Sequence, residues 1–193
     1  MHTGTNSSPN QVDVFQLFTG RTFADDVIGI AYVGSACRND QSEFADAIVQ
    51  RVSDNLDPVT AAHELGHTLG LGHSNLIRCS GGQNDGAWQN CSAVEYGGSV
   101  DIMGNVDVST PLSTYHQWRM GLLAAGDVRQ SWKDESIEIN AVDVYGKPRA
   151  IFVRDGSATY WIEYRKAGGT YKSGLVIYRT DPPPGSSVQS PNP

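Results

Sequence analysis

The segment HELGHTLGLGH, residues 63–73, constrains this chain more than any other stretch. Asp57 followed by Pro58 predicts a helix start just before it, because aspartate accepts hydrogen bonds from unsatisfied amides at the N-cap and proline suits the first helical position. Gly70 predicts the helix end, since a residue without a Cβ readily adopts a positive φ. We therefore expect a helix over about 58–69 and a reversal of the chain after it.

Three histidines and a glutamate in this segment form a metal-ligand pattern. His63 and His67 are four residues apart, so one face of the helix presents both to a single ion. The turn at Gly70 lets His73 arrive as a third ligand. Three neutral imidazoles leave the fourth tetrahedral position of Zn²⁺ for water, which is the open coordination of a catalytic site. Glu64, beside the first ligand, is the expected general base for that water.

Composition excludes several other classes of function. With 193 residues and 39% hydrophobic content, the chain can bury one core, with a small appendage at most. The net charge of −7 comes from scattered acidic residues, and the sequence has no basic stripe of the kind that nucleic acid requires. Its longest apolar runs, such as residues 27–33, are far shorter than the roughly 20 residues that span a bilayer. We expect neither a nucleic-acid partner nor a membrane span, and the oligomeric state stays open.

Strand-like runs precede the helix. The run VIGIAYV, residues 27–33, is rich in β-branched residues and predicts a buried sheet strand. A second candidate strand is AIVQRVS, residues 47–53, with a helix turn as the alternative because Phe44 and Ile48 fall at helical spacing. Further along, residues 111–123 predict a short helix.

From residue 136 onwards the spacing of apolar residues becomes typical of strands. Four strand-like runs separated by turn residues predict a small β region: SIEINAV, AIFVRD, TYWIEYR and GLVIYRT. The last stretch, DPPPGSSVQSPNP, is typical of a linker.

The cysteines predict one disulfide. Cys79 and Cys91 bracket a Gly/Asn/Ser-rich loop that a disulfide would close. Cys37 is then free or paired with a cysteine outside this chain. We favour an oxidising compartment over three buried thiols in a cytosolic protein. The same loop offers Asp85 and carbonyls to Ca²⁺, but it lacks the spaced carboxylates of a dedicated site.

The motif HExxHxxGxxH followed by a methionine turn resembles the metzincin zinc peptidases. The turn here is VDIMG, with Met103 about thirty residues after His73. In metzincins this methionine lies beneath the three histidines as a hydrophobic floor and is not a ligand. The resemblance implies an α/β catalytic domain, in which a twisted sheet is backed by helices and the zinc helix forms the floor of a cleft. It also implies zinc-dependent endopeptidase action on proteins outside the cell.

The metzincin subfamily stays open. Residues 15–37 are similar to adamalysin and reprolysin-type peptidases, but Ser74 stands where those have aspartate and matrixins tend to have serine. No tyrosine follows Met103 at the two-residue spacing of astacins and serralysins, so we expect no tyrosine ligand. The runs YWIEYR and SGLVIYR look like the β region after the catalytic domain of gametolysin-like and immune-inhibitor-A-like peptidases.

The resemblance also suggests how the chain is divided. We interpret residues 1–130 as a catalytic domain, 131–181 as a β-rich extension and 182–193 as a linker. Adamalysin-like domains carry two further strands and a long helix before the matching segment. We therefore expect a domain truncated at its N-terminus, a chain that continues at both ends in the natural protein, and low stability and weak activity of this piece alone. Substrate peptides would pair with residues 47–53 as an edge strand.

Two other functions remain alternatives. One is a catalytically silent zinc-binding or adhesion module, against which Glu64 argues because such a module has no need of that carboxylate. The other is a zinc hydrolase that cleaves a non-protein amide. Outside the motif, we expect His116 to be a packed or surface histidine. We expect Asp101 to accept hydrogen bonds from loop amides or from the zinc helix.

Overall fold

The computed structural model describes residues 14–19, 29–31, 45–50, 58–105, 110–146, 148–168 and 171–181, with backbone alone for 14–19 and 45–50. The predicted N-cap Asp57, the cysteine Cys37 and the linker 182–193 lie outside these residues. By its internal contacts the chain divides into two units, residues 1–72 and residues 73–193. The mixed α/β class that the sequence predicts is confirmed. Within the described residues, the helices are too short or too polar to cross a membrane.

Where the structure describes it, the first unit combines a three-stranded sheet with one helix. Its elements are β1 (Val14–Thr19), β2 (Gly29–Ala31), β3 (Ala45–Gln50) and α1 (Pro58–Thr68). The strand order is β1-β3-β2, with β3 parallel to β1 and antiparallel to β2. The helix α1 lies against β2 and β3.

Two predictions about these strands need correction. The described part of the predicted run 47–53, residues 47–50, lies on β3, so the helix-turn alternative is wrong. Residues 51–53 lie outside the described residues. However, β3 has a partner on both sides and is therefore not the edge strand that we expected. Residues 27–33 contain the short strand β2, but Ile30 is 54% exposed, so this strand is not buried as predicted. Side chains alternate across a strand, and here the half-buried Gly29 and Ala31 share one face while Ile30 lies on the other.

The helix α1 ends in a Schellman motif. Gly70 has a φ of 91°, which glycine adopts without the steric penalty of a Cβ. Its amide donates to His67 O at 2.8 Å, and the Leu71 amide donates to Gly66 O at 3.0 Å. These are the two bonds by which the motif satisfies the last carbonyls of a helix. The predicted helix and its glycine end are thus confirmed, and the reversal sends the chain towards His73.

The second unit begins with a disulfide-closed hairpin. The antiparallel strands β4 (Leu76–Cys79) and β5 (Cys91–Val94) place Cys79 directly opposite Cys91. These two cysteines form a disulfide, as the sequence predicts. Closing a loop of this length removes chain entropy from the unfolded state, worth roughly 3 kcal/mol.

The described residues of this unit also contain a four-stranded sheet and a short helix. The elements are α2 (Thr114–Arg119), β6 (Val128–Ser131), β7 (Ala150–Asp155), β8 (Ala158–Arg165) and β9 (Gly174–Arg179). The strand order is β6-β7-β8-β9, parallel between β6 and β7 and antiparallel elsewhere. The helix α2 starts at Ser113, whose hydroxyl accepts from the His116 amide. Its Tyr115 and Trp118 pack on the fully buried Phe152 and Trp161 of the sheet.

Three of the four predicted C-terminal strands are confirmed as β7, β8 and β9. The run SIEINAV, residues 136–142, is not a strand. It makes only an isolated bridge between Ala141 and Tyr164. The sheet instead takes its first strand, β6, from residues that sequence patterning did not single out.

A buried carboxylate ties α2 to the sheet. Glu163 is fully buried, and its Oε2 accepts from the Thr114 amide at 2.6 Å and from the Thr114 hydroxyl at 2.7 Å. Its Oε1 accepts from Arg165 Nε at 2.6 Å and from the Tyr178 hydroxyl at 3.0 Å. Burial, followed by the charge of Glu163, raises the pKa of Tyr178 well above its ordinary value. The phenol therefore stays protonated and donates to Glu163.

We expect Glu163→Ala to destabilise the protein strongly. The change leaves the Arg165 guanidinium, which is 1% exposed, without its carboxylate, and breaking a buried pair in this way costs about 3–5 kcal/mol. Urea unfolding of the full chain measures the loss. The control is Glu135→Ala, which removes a carboxylate bonded to Ser131 and Arg129 at the surface and should change stability little. Equal midpoints for the two variants would contradict the expected role of Glu163.

Candidate metal centre

The helix α1 brings two imidazoles together. Nε2 of His63 lies 3.1 Å from Nε2 of His67. Two nitrogens bound tetrahedrally at about 2.0–2.1 Å from one zinc ion are roughly 3.3 Å apart, so the observed separation suits a shared ion. Nδ1 of His67 lies 2.9 Å from Leu71 O. A proton on Nδ1 that bonds to this carbonyl leaves the ligand lone pair on Nε2.

The third histidine follows the helix end. The ligand nitrogens of His63, His67 and His73 all lie within 4.8 Å of one another. The donor set of three imidazole nitrogens, without thiolate, is one that zinc accepts in catalytic sites. The group is therefore consistent with zinc binding.

Glu64 lies in the same turn of α1 as the first histidine. It is buried, with 6% of its surface exposed, and burial raises the pKa of Glu64 to about 7 because the ionised form loses hydration. Its carboxyl group lies against the backbone of Gly29 in β2. A Cβ built at Gly29 would be only 2.6 Å from Glu64 Cδ. The Glu64 carboxyl group thus fits in this position because Gly29 has no side chain.

The predicted methionine turn is buried and hydrogen-bonded to the residue after His73. Met103 has no exposed surface. The Ser74 amide donates to Met103 O at 2.7 Å, and the Met103 amide donates to Asp101 Oδ1 at 3.0 Å. These bonds join the turn to the start of the segment that follows His73. The role of Met103 as a floor beneath the histidines stays a prediction.

Asp101 bonds to loop amides, which is one of the two alternatives that the sequence left open. Its carboxylate accepts from the amides of Met103 and Ser113 and from Nδ1 of His116, the last at 2.8 Å. Burial raises the pKa of Asp101, but the hydrogen bond and charge of His116, with the bonds from Ser113 and Met103, outweigh it and lower the pKa. His116 is 6% exposed and is therefore packed, not a surface residue.

Asp85, the candidate calcium ligand, bonds to other side chains. It accepts from the Tyr160 hydroxyl at 2.6 Å and from Arg179 Nη1 at 2.9 Å. The hydrogen bond to Asp85 is the main cause that raises the pKa of Tyr160 to about 12. Calcium binding at this loop stays a prediction.

Sequence reasoning missed two residues that contact His73. Glu95 Oε1 lies 2.8 Å from His73 Nδ1, and the rings of Tyr96 and His73 have centroids 3.8 Å apart. Glu95 lies 22 positions from His73 in the sequence, and no spacing rule links them. The sequence gives one indirect signal that Glu95 and Tyr96 lie near His73. The predicted Cys79–Cys91 disulfide returns the chain towards the segment that carries His73.

One comparison with known proteins bears on this centre. Residues 1–74 match the family model described as Metallo-peptidase family M12B Reprolysin-like. The match covers less than half of the chain and includes β1, β2, β3, α1 and all three histidines. The first part of this chain is therefore similar to metallopeptidases, which supports a peptidase.

Proposed function

We propose that this chain is a zinc-dependent endopeptidase, in which His63, His67 and His73 are the zinc ligands and Glu64 is the general base. The observation that carries the proposal is the group of three imidazole nitrogens within 4.8 Å. The reprolysin-like match of residues 1–74, which contains the same three histidines, also supports it. Action outside the cell is part of the proposal, and the Cys79–Cys91 disulfide supports it because such bonds persist in oxidising compartments.

The zinc ion and the side chains of the protein would each contribute a different part of peptide-bond hydrolysis. Bound zinc would polarise the scissile carbonyl and lower the pKa of a water molecule towards about 7. A Glu64 carboxylate oxygen would take the proton from the attacking water and deliver it to the nitrogen of the leaving amine. Burial of Glu64 limits competing hydration of this carboxylate.

A substrate peptide would bind beside β2. This strand ends the described order β1-β3-β2, and Gly29 at its start contacts the Glu64 carboxyl group. An extended peptide that adds to the sheet there would bring its backbone near the general base. Exposed Ile30 offers an apolar contact to a substrate side chain. The proposed edge is therefore β2 in place of residues 47–53.

Gly29→Ala should lower activity much more than stability. The new Cβ would lie 2.6 Å from Glu64 Cδ and 2.7 Å from Glu64 Cγ, so this side chain must shift and its carboxylate leaves its working position. The nearest atoms belong to a side chain and not to the backbone, so the strands and the helix can keep their positions. A misplacement of about 1 Å can cost about 10²-fold in rate. The measurement is kcat/KM on a fluorogenic peptide, together with the thermal unfolding midpoint. Gly126→Ala is the control because its Cβ would meet nothing within 4 Å, and equal kcat/KM for both variants would contradict the positioning of Glu64.

A protein digest tests the proposal as a whole. The purified chain should cleave casein or gelatin, lose the activity on treatment with a zinc chelator, and regain it when zinc is added back. Zinc binding without cleavage of any protein or peptide would favour the silent binding module. Cleavage confined to small non-protein amides would favour the amidohydrolase alternative.

A further inference from the structure

The imidazole of His73 is held on two sides by consecutive residues. Glu95 Oε1 lies 2.8 Å from Nδ1, and the Tyr96 ring stacks at a centroid distance of 3.8 Å. Glu95 directly follows β5, whose Val94 pairs with Leu76 of β4. The Cys79–Cys91 disulfide closes this hairpin. The hairpin therefore brings Glu95, just after β5, back beside His73, just before β4.

The backbone after Glu95 is in an uncommon conformation. Tyr96 has a φ of 56° and is the non-glycine residue with positive φ among the described residues. This region costs an L-residue roughly 1–2 kcal/mol, so neighbouring contacts must hold it. The Tyr96 amide donates to Asn75 Oδ1 at 3.1 Å, and Tyr96 O accepts from the Asn105 amide at 3.0 Å. The Tyr96 backbone is thus hydrogen-bonded through both its amide and its carbonyl, which holds the turn that follows Glu95.

A carboxylate on Nδ1 has a defined effect on an imidazole that binds metal through Nε2. The carboxylate holds the proton on Nδ1 and leaves the lone pair on Nε2. It also makes Nε2 more basic and therefore a stronger metal ligand. His67 has an uncharged acceptor in the equivalent place, Leu71 O. The hydrogen bond between Glu95 and His73 is solvent-exposed, since 68% of the Glu95 side chain is accessible, so it contributes little to folding stability. Its consequence should therefore appear in metal affinity.

We propose that Glu95 is a positioning residue for the metal ligand His73, acting by accepting the Nδ1 proton and directing Nε2 to the ion. The proposal rests on the proposed function only in taking His73 as a zinc ligand. It adds to that function a carboxylate that the three-histidine motif does not contain. The disulfide-closed hairpin is the element that places it.

The test is zinc affinity of the full chain, measured by competition with a chromophoric chelator. Loss of a partner of this kind typically weakens metal binding about 10–100-fold, and we expect Glu95→Ala to fall in that range. Glu95→Gln should lose less, because its amide oxygen still accepts from Nδ1 without the charge. Glu135→Gln, which alters a glutamate bonded to Ser131 and Arg129, is the matched control and should bind zinc like the unaltered chain.

A second readout separates positioning from a structural role. Nitrogen NMR of the zinc-loaded chain should show His73 protonated at Nδ1, with that proton exchanging faster in Glu95→Ala. The metal-free unfolding midpoint should stay the same in all variants. The proposal is overturned if both Glu95 variants bind zinc as tightly as Glu135→Gln, or if Glu95→Ala weakens binding only through a lower unfolding midpoint while Glu95→Gln binds normally. Failure of the unaltered chain to bind zinc would instead overturn the proposed function.

Discussion

Replacing Glu64 with glutamine should sharply lower the rate of peptide hydrolysis while the chain keeps its zinc. Glutamine preserves the size of the side chain and its packing against Gly29, but it cannot take a proton from the attacking water. Loss of a positioned general base typically lowers the rate about 10²–10⁴-fold. The measurement is kcat/KM on a fluorogenic peptide, with metal analysis of the same preparation.

The zinc content distinguishes the loss of a base from the loss of the site. Glu64 is not among the three proposed ligands, so Glu64→Gln should carry as much zinc as the unaltered chain. Glu135→Gln is the control for a glutamate at the surface and should retain full activity. Near-normal turnover of Glu64→Gln would show that another group serves as the base.

Replacing His67 with alanine should remove both the zinc and the activity. The change takes one of three imidazole ligands and leaves His63 and His73 to hold the ion alone. Open zinc sites in enzymes rely on three protein ligands, so we expect the metal to be lost on dialysis and hydrolysis to fall to background. The measurement is zinc per chain after dialysis, followed by the peptide assay.

A second buried histidine provides the control for this variant. His116 bonds to Asp101 and lies outside the three-histidine group. The His116→Gln variant should lose some stability but retain its zinc. If His67→Ala kept stoichiometric zinc after dialysis, His67 would not be a ligand.

The features that sequence predicted correctly depend on short-range spacing. The helix α1, its end at Gly70 and the shared face of His63 and His67 follow from intervals of a few residues, which local propensities and capping decide. The Cys79–Cys91 disulfide joins the ends of a short loop. The strand-like runs located β7, β8 and β9 but not their buried faces. Strand β8 buries Glu163 and Arg165, whereas β9 exposes Leu175 and Ile177.

The features that sequence missed depend on long-range pairing. Nothing within residues 45–50 indicates that β3 has a partner on each side, because those partners are β1 and β2. The strand β6 has the sequence VRQS, which lacks an apolar face, and it forms because it pairs with β7. Glu95 meets His73 because the hairpin returns the chain. Such contacts are properties of the fold, and local periodicity does not contain them.

The most direct test of the proposed zinc centre is X-ray absorption at the zinc edge of the purified full chain. Three imidazole nitrogens and one oxygen from water are expected in the first coordination shell, with no sulfur. This result would match His63, His67 and His73 as the ligands of an open site. A shell that contains sulfur, a shell made only of oxygen atoms, or a preparation that takes up no zinc would contradict the proposal.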